Sequence, residues 1–271
     1  MAPWYIAVVM GLVEGLTEFL PVSSTGHLIL AGHALDFIGA KADTFEIAIQ
    51  LGAILAVVVI YFDRFLGLVK PDPARSFSGP RGLWLLFLTS LPALGLGFLA
   101  HKAIKAHLFG PKTVALALFV GALLMFVVEA RAARLKRPLK RPVDSLDAVT
   151  PRLALGIGLF QCLALWPGFS RSGATIMGGM LLGVDRKTAA EYSFLAAVPV
   201  MCAAVGYDML KNWRLFDTAD LVFLTIGFAV SFVSGWAAVR GFISLLSRFT
   251  LRPFAWYRLA LAPLVWIFWP N

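Results

Sequence analysis

The chain alternates between long apolar stretches and short polar breaks. Ten apolar segments fall near residues 4–20, 27–39, 45–62, 83–100, 112–130, 152–167, 173–184, 189–210, 219–239 and 252–269. A helix of about 20 apolar residues matches the hydrocarbon thickness of a bilayer. The first and second segments, and the sixth and seventh, are short, and each pair is joined by a few residues rich in Pro, Gly, Ser and Thr. A helix, a break and a second helix too brief to cross predict a re-entrant hairpin, a shape tolerated where its backbone lines a protein cavity. The pattern therefore predicts an all-α polytopic membrane protein, one integral membrane domain over residues 1–271.

Shifting the sequence on itself by 147 residues aligns Gly11 with Gly158, Leu12 with Leu159, Leu16 with Leu163, Ser23 with Ser170, Gly26 with Gly173, Ile29 with Ile176, Gly32 with Gly179 and Leu35 with Leu182. This register predicts an internal repeat with halves at about 1–130 and 150–271, joined by a basic loop at 131–151. Each half would hold one re-entrant hairpin and three transmembrane helices. Three crossings is an odd number, so the halves would be inverted relative to each other.

Composition sharpens the class. The chain is 59% hydrophobic and 14% charged, with a formal net charge of +9, outside the range of soluble globular domains. Basic residues sit in short loops between apolar segments, which suits anionic lipid headgroups and argues against nucleic acid as a partner. Sixteen Lys and Arg lie in the loops after the third, fifth, seventh and ninth segments, against six in the loops of the other face. By the positive-inside rule, loop 131–151 is expected in the cytoplasm and both termini on the outer face of a bacterial inner membrane. The first Lys or Arg is Lys41, so the apolar start lacks a signal peptide's basic region and is expected to be retained. Cys162 and Cys202 fall in apolar stretches and are expected to be buried thiols. A homodimer is compatible with the sequence, which does not specify one.

Two polar runs interrupt the apolar background: Glu14-Gly-Leu-Thr-Glu18-Phe-Leu-Pro-Val-Ser-Ser-Thr-Gly-His27 and Pro167-Gly-Phe-Ser-Arg171-Ser-Gly-Ala-Thr175. Each charge placed at the centre of a membrane helix costs about 2.5 to 3.5 kcal/mol, so these positions mark a functional site. Glu14 and Glu18, four residues apart, share a helix face. Two such carboxylates in a low dielectric do not both ionise without a cation nearby. A divalent ion is expected there, Mg2+ in the first place and Ca2+ as the alternative, because Mg2+ needs only one or two carboxylates plus substrate phosphate oxygens. Ser23, Ser24 and Thr25 follow the break and suit the N-cap of the next helix. His27 lies one turn beyond Ser24 and could serve as its base; His27 as nucleophile and a metal-activated water are the alternatives. Arg171, between Ser170 and Ser172 at a helix start, has the planar fork and the helix-end field that favour phosphate.

The runs EGLTEFLPVSSTGH and LALWPGFSRSGAT resemble the two signature motifs of the undecaprenyl-diphosphate phosphatase family, also called the bacitracin-resistance protein family. The resemblance covers essentially the whole chain. It implies hydrolysis of a polyprenyl diphosphate lipid to the monophosphate and orthophosphate, recycling of the lipid carrier for peptidoglycan, bacitracin resistance, a divalent-ion requirement and a site reached from the outer face. Carried over by motif, Glu18, His27 and Arg171 would be essential and Glu14, Ser24, Ser170, Ser172 and Thr175 would contribute; with Ser24 as the candidate nucleophile, the catalytic set is Glu18, Ser24, His27 and Arg171. Ser23, Thr25, Gly168, Ser170, Ser172, Gly173 and Thr175 would bind substrate, and Glu14 with Glu18 would hold the metal. A membrane transporter or lipid-phosphate flippase built on the same inverted repeat is the competing reading; release of phosphate from a lipid diphosphate separates the two.

Overall fold

The computed structural model describes residues 2–108, 110–135, 143–218, 220–246 and 249–269. Among these the chain is helical, with one isolated bridge between Val143 and Val184 and no strand. The helices in chain order are α1 (Trp4–Thr17), α2 (Ser24–Ala34), α3 (Ala40–Ile60), α4 (Phe62–Val69), α5 (Gly79–His107), α6 (Pro111–Leu135), α7 (Pro151–Gln161), α8 (Arg171–Leu181), α9 (Arg186–Asn212), α10 (Asp220–Leu246) and α11 (Arg252–Phe268). All ten apolar segments are helices. The helix α4 is an addition: the sequence reading placed these residues in a basic loop. Part of the expected loop 131–151, at 136–142, lies outside the described residues.

Among the described residues five helices, α3, α5, α6, α9 and α10, are long and apolar enough to cross a bilayer, so this is a multi-pass membrane protein. The helix α11, with 17 residues, lies at the lower end of spanning length. Many large apolar side chains on the outer surface, among them Phe98, Leu99, Leu210 and Trp256, are exposed, as expected of a lipid-facing wall. Cys202 is on this surface and Cys162 is half-buried, which corrects the expectation that both are enclosed.

Helix pairing is set by small residues that let backbones approach. The helix α1 lies on α10, and a Cβ at Gly11 would sit 2.6 Å from the Gly227 carbonyl oxygen. The helix α7 lies on α5, and a Cβ at Gly158 would sit 2.6 Å from the Thr89 carbonyl oxygen. In addition α3 packs on α10 and α9, and α6 on α11.

The polar ties between loops fall at two ends of the bundle. At one end Lys41, at the start of α3, pairs with Asp220 at the start of α10, 2.6 Å apart. At the other, Arg64 pairs with Asp147 at 3.0 Å, and the Phe77 amide donates to the same carboxylate. Also at that end, Arg186 and the Leu251 amide both donate to the buried Glu129. Burial pushes the Asp147 carboxyl up, but the Phe77 amide and Arg64 outweigh it and hold it below the ordinary carboxylate value. The tie therefore stabilises the fold above that ordinary value and is lost as the pH falls through the lowered one.

Candidate active site

Each signature run spans the break between two helices. The first hairpin is α1 and α2, the second α7 and α8, and both second helices are 11 residues long. Each begins after a serine in a left-handed conformation, Ser23 with φ 72° and Ser170 with φ 77°. A non-glycine residue held there stores strain of about 1 to 3 kcal/mol and tends to mark a functional site. Both second helices also end alike. Asp36 and Gly183 have positive φ, the Phe37 amide donates to the Gly32 carbonyl, and the Val184 amide donates to the Gly179 carbonyl. Gly168, with φ 92°, sits where a Cβ would lie 2.6 Å from the Val114 carbonyl oxygen, so only glycine lets the second turn lie against α6.

The two turns touch. The Ser172 hydroxyl donates to the Leu20 carbonyl at 2.9 Å, and Arg171 reaches across to Glu18. Glu18 is the centre of this contact. Its Oε2 accepts from the Ser24 hydroxyl at 2.6 Å, and its Oε1 accepts from Arg171 Nη2 at 3.2 Å. Arg171 Nη1 donates to the Ser193 carbonyl of α9 at 3.0 Å, and the guanidinium lies over the Phe19 ring. Arg171 Nε is buried without a partner, and so are both carboxylate oxygens of Glu14, a fully buried residue one helical turn before Glu18.

The other expected site residues divide into groups. Ser170 caps α8, accepting from the Gly173 amide at 3.1 Å, and its hydroxyl meets that of Ser172 at 3.0 Å. Gly173 therefore serves in the cap of that first turn. Ser23 occupies the equivalent place without a side-chain cap bond, contrary to the capping expected of it, and Thr25 is half-buried in the same first turn. Thr175 turns away into α9, bonding the Ser193 hydroxyl at 2.6 Å, so it steadies the serine that holds Arg171.

His27 does not face Ser24. Its Nδ1 lies 2.7 Å from the Ser23 carbonyl and its Nε2 lies 2.7 Å from the Tyr257 hydroxyl. The expected Ser24–His27 pair is replaced by Ser24–Glu18, because the left-handed Ser23 swings Ser24 back over the end of α1.

Sequence reasoning missed Ser193, Tyr257 and Arg258. Arg258 is fully buried and donates to five carbonyls: Pro21 in the first turn, Gly168 and Phe169 in the second, and Ala117 and Leu118 in α6. The signal for it was present, a lone arginine six residues inside an apolar helix.

Fold and site together describe a membrane protein whose buried polar cluster has the residue types suited to phosphate: a hydroxyl bonded to a carboxylate, an arginine with an unmet donor and an unmet carboxylate, gathered where two turns meet. The comparisons make this specific. The chain belongs to the bacitracin resistance protein BacA family, whose family model matches residues 7–264. It is 66% identical over 269 residues to an undecaprenyl-diphosphatase of Maridesulfovibrio salexigens, covering 99% of this chain and 100% of that protein. Proteins of the same name from Nitratidesulfovibrio vulgaris Hildenborough, 65% identical over 99% of both chains, and Solidesulfovibrio magneticus, 64% identical over 98% of both, match as fully.

Proposed function

We infer that this chain is an undecaprenyl-diphosphatase: it hydrolyses undecaprenyl diphosphate to undecaprenyl phosphate and orthophosphate, returning the lipid carrier to peptidoglycan synthesis and conferring bacitracin resistance. The names of its relatives supply the substrate, and the observation that carries the chemistry is the chain of bonds Ser24–Glu18–Arg171 across the two turns.

The residues divide the work as follows. Arg171, with its unmet Nε–H at the start of α8, binds the terminal phosphate. Ser24 attacks the terminal phosphorus, and Glu18, already 2.6 Å from its hydroxyl, takes the proton. The bond to the bridging oxygen breaks and undecaprenyl phosphate leaves. Water then cleaves the phosphoserine, freeing orthophosphate and restoring Ser24. Glu14 fits the expected divalent ion: its carboxylate is buried with both oxygens unmet, and with Glu18 it offers the two carboxylates that Mg2+ or Ca2+ accepts alongside phosphate. Bound there, the ion would neutralise charge on the diphosphate. Purified in detergent, the chain is expected to release orthophosphate from undecaprenyl diphosphate and to lose this activity in EDTA, regaining it with Mg2+. Intact lipid diphosphate after full incubation with Mg2+ would refute the hydrolase reading and favour a transporter.

We read the halves, about 1–130 and 150–271, as inverted repeats. Supporting this are the left-handed Ser23 and Ser170, the helix ends at Asp36 and Gly183, and the matched close approaches at Gly11 and Gly158. Each of these pairs is 147 residues apart, and the helices exchange partners, α1 with α10 and α7 with α5. The basic end of the bundle would then be cytoplasmic and the Lys41–Asp220 end external, with both termini and access to the site on the outer face. Lys211→Cys is expected to react with an impermeant maleimide in intact cells, and Ser76→Cys only after the inner membrane is opened. The reverse pattern would overturn the orientation.

A further inference from the structure

The last helix carries neither signature run, yet it reaches the site with two consecutive residues. Arg258 ties the backbone of α11 to both inserted turns through Pro21, Gly168 and Phe169. Tyr257 is thereby held at a fixed place beside the first turn. Its hydroxyl lies 2.7 Å from His27 Nε2, and the two rings are parallel within 1°, centroids 5.6 Å apart.

The chemistry of the partners fixes the protons. The Ser23 carbonyl, 2.7 Å from His27 Nδ1, can only accept, so Nδ1 carries the hydrogen. In the neutral ring Nε2 is then the acceptor, and the Tyr257 O–H is the donor that meets it. Without that donor, nothing selects the Nδ1–H tautomer except one bond to a strained carbonyl. The ring would also be free to turn about its side-chain torsions, since its second anchor is gone.

We propose that Tyr257 is a positioning residue for the hydrolysis: its hydroxyl holds His27 as the Nδ1–H tautomer, with Nε2 kept as the accepting nitrogen and the ring fixed against the first turn. The proposal rests on the undecaprenyl-diphosphatase reading and on the catalytic part that the resemblance of the first polar run implies for His27. It assigns to α11 a part in the reaction that neither polar run announces.

Tyr257→Phe tests it, because phenylalanine keeps the ring and removes the hydroxyl alone. In purified full-length protein acting on undecaprenyl diphosphate, kcat is expected to fall about tenfold with KM within about twofold of wild type. The thermal midpoint should stay within about 2 °C. Added to His27→Gln, the same change should lower the residual kcat less than about twofold, because a residue that acts through His27 has nothing left to act on. Tyr257→Phe with wild-type kcat, or losses that multiply in the double variant, would overturn the proposal while leaving the hydrolase reading intact. A wild-type protein that releases no phosphate would instead refute the hydrolase reading. In either case the ring 15N shifts of His27 decide the tautomer: Nδ1–H in wild type, mixed in Tyr257→Phe. An Nε2–H ring in the wild type would sink the assignment.

Discussion

Glu18→Gln is expected to lower kcat by at least about 1,000-fold, roughly 4 kcal/mol of barrier. The carboxylate does two things that an amide cannot do together. In the proposed mechanism its Oε2, 2.6 Å from the Ser24 hydroxyl, takes the proton, while its Oε1 balances the charge of Arg171 at 3.2 Å. Gln retains one acceptor oxygen but neither the basicity to take the proton nor the negative charge opposite the guanidinium. It is also a poor ligand for a divalent ion, so excess Mg2+ should not restore turnover. Single-turnover phosphate release, with the thermal midpoint measured alongside, checks the claim. A variant that stays folded and keeps a tenth of wild-type kcat would remove Glu18 from the role of base.

Arg171→Lys is expected to lower kcat/KM by about 100-fold or more, near 2.7 kcal/mol of transition-state stabilisation. The loss is geometric, since charge is preserved. Arg171 spends Nη2 on Glu18 and Nη1 on Ser193 and still presents Nε–H. A lysine ammonium reaching for Glu18 cannot at once bond α9 and offer a third donor in that plane. Activity within threefold of wild type would contradict the phosphate-binding role. A variant that unfolds would assign Arg171 to locking the two turns together, the structural half of what the ion pair does.

What the sequence disclosed and what it hid follow from the same physics. The hairpins were legible because Glu14, Glu18 and Arg171 are costly in apolar surroundings, and because the 147-residue register repeats the break itself. The helix α4 was hidden because Asp63 and Arg64 break its hydropathy and count as loop charges. Ser24 was paired with the wrong partner because spacing along a helix favours His27 three residues on. The bond to Glu18, six residues back, forms only through the left-handed Ser23, and a serine at that conformation leaves no trace in composition. Tyr257 and Arg258 escaped for a different reason. Over a segment of 17 residues that already begins with Arg252, one further arginine barely alters the mean hydropathy, while its five carbonyl partners come from three separate parts of the chain.

The most direct test of the account is to catch the phosphate in transit. Undecaprenyl diphosphate labelled with 32P on its terminal phosphate, mixed with the purified chain and quenched in acid within one turnover, is expected to leave phosphoserine at Ser24, located by mass spectrometry, and none in Ser24→Ala. Orthophosphate released in a full turnover with no label on the protein, or label found on His27, would contradict the Ser24–Glu18–Arg171 mechanism.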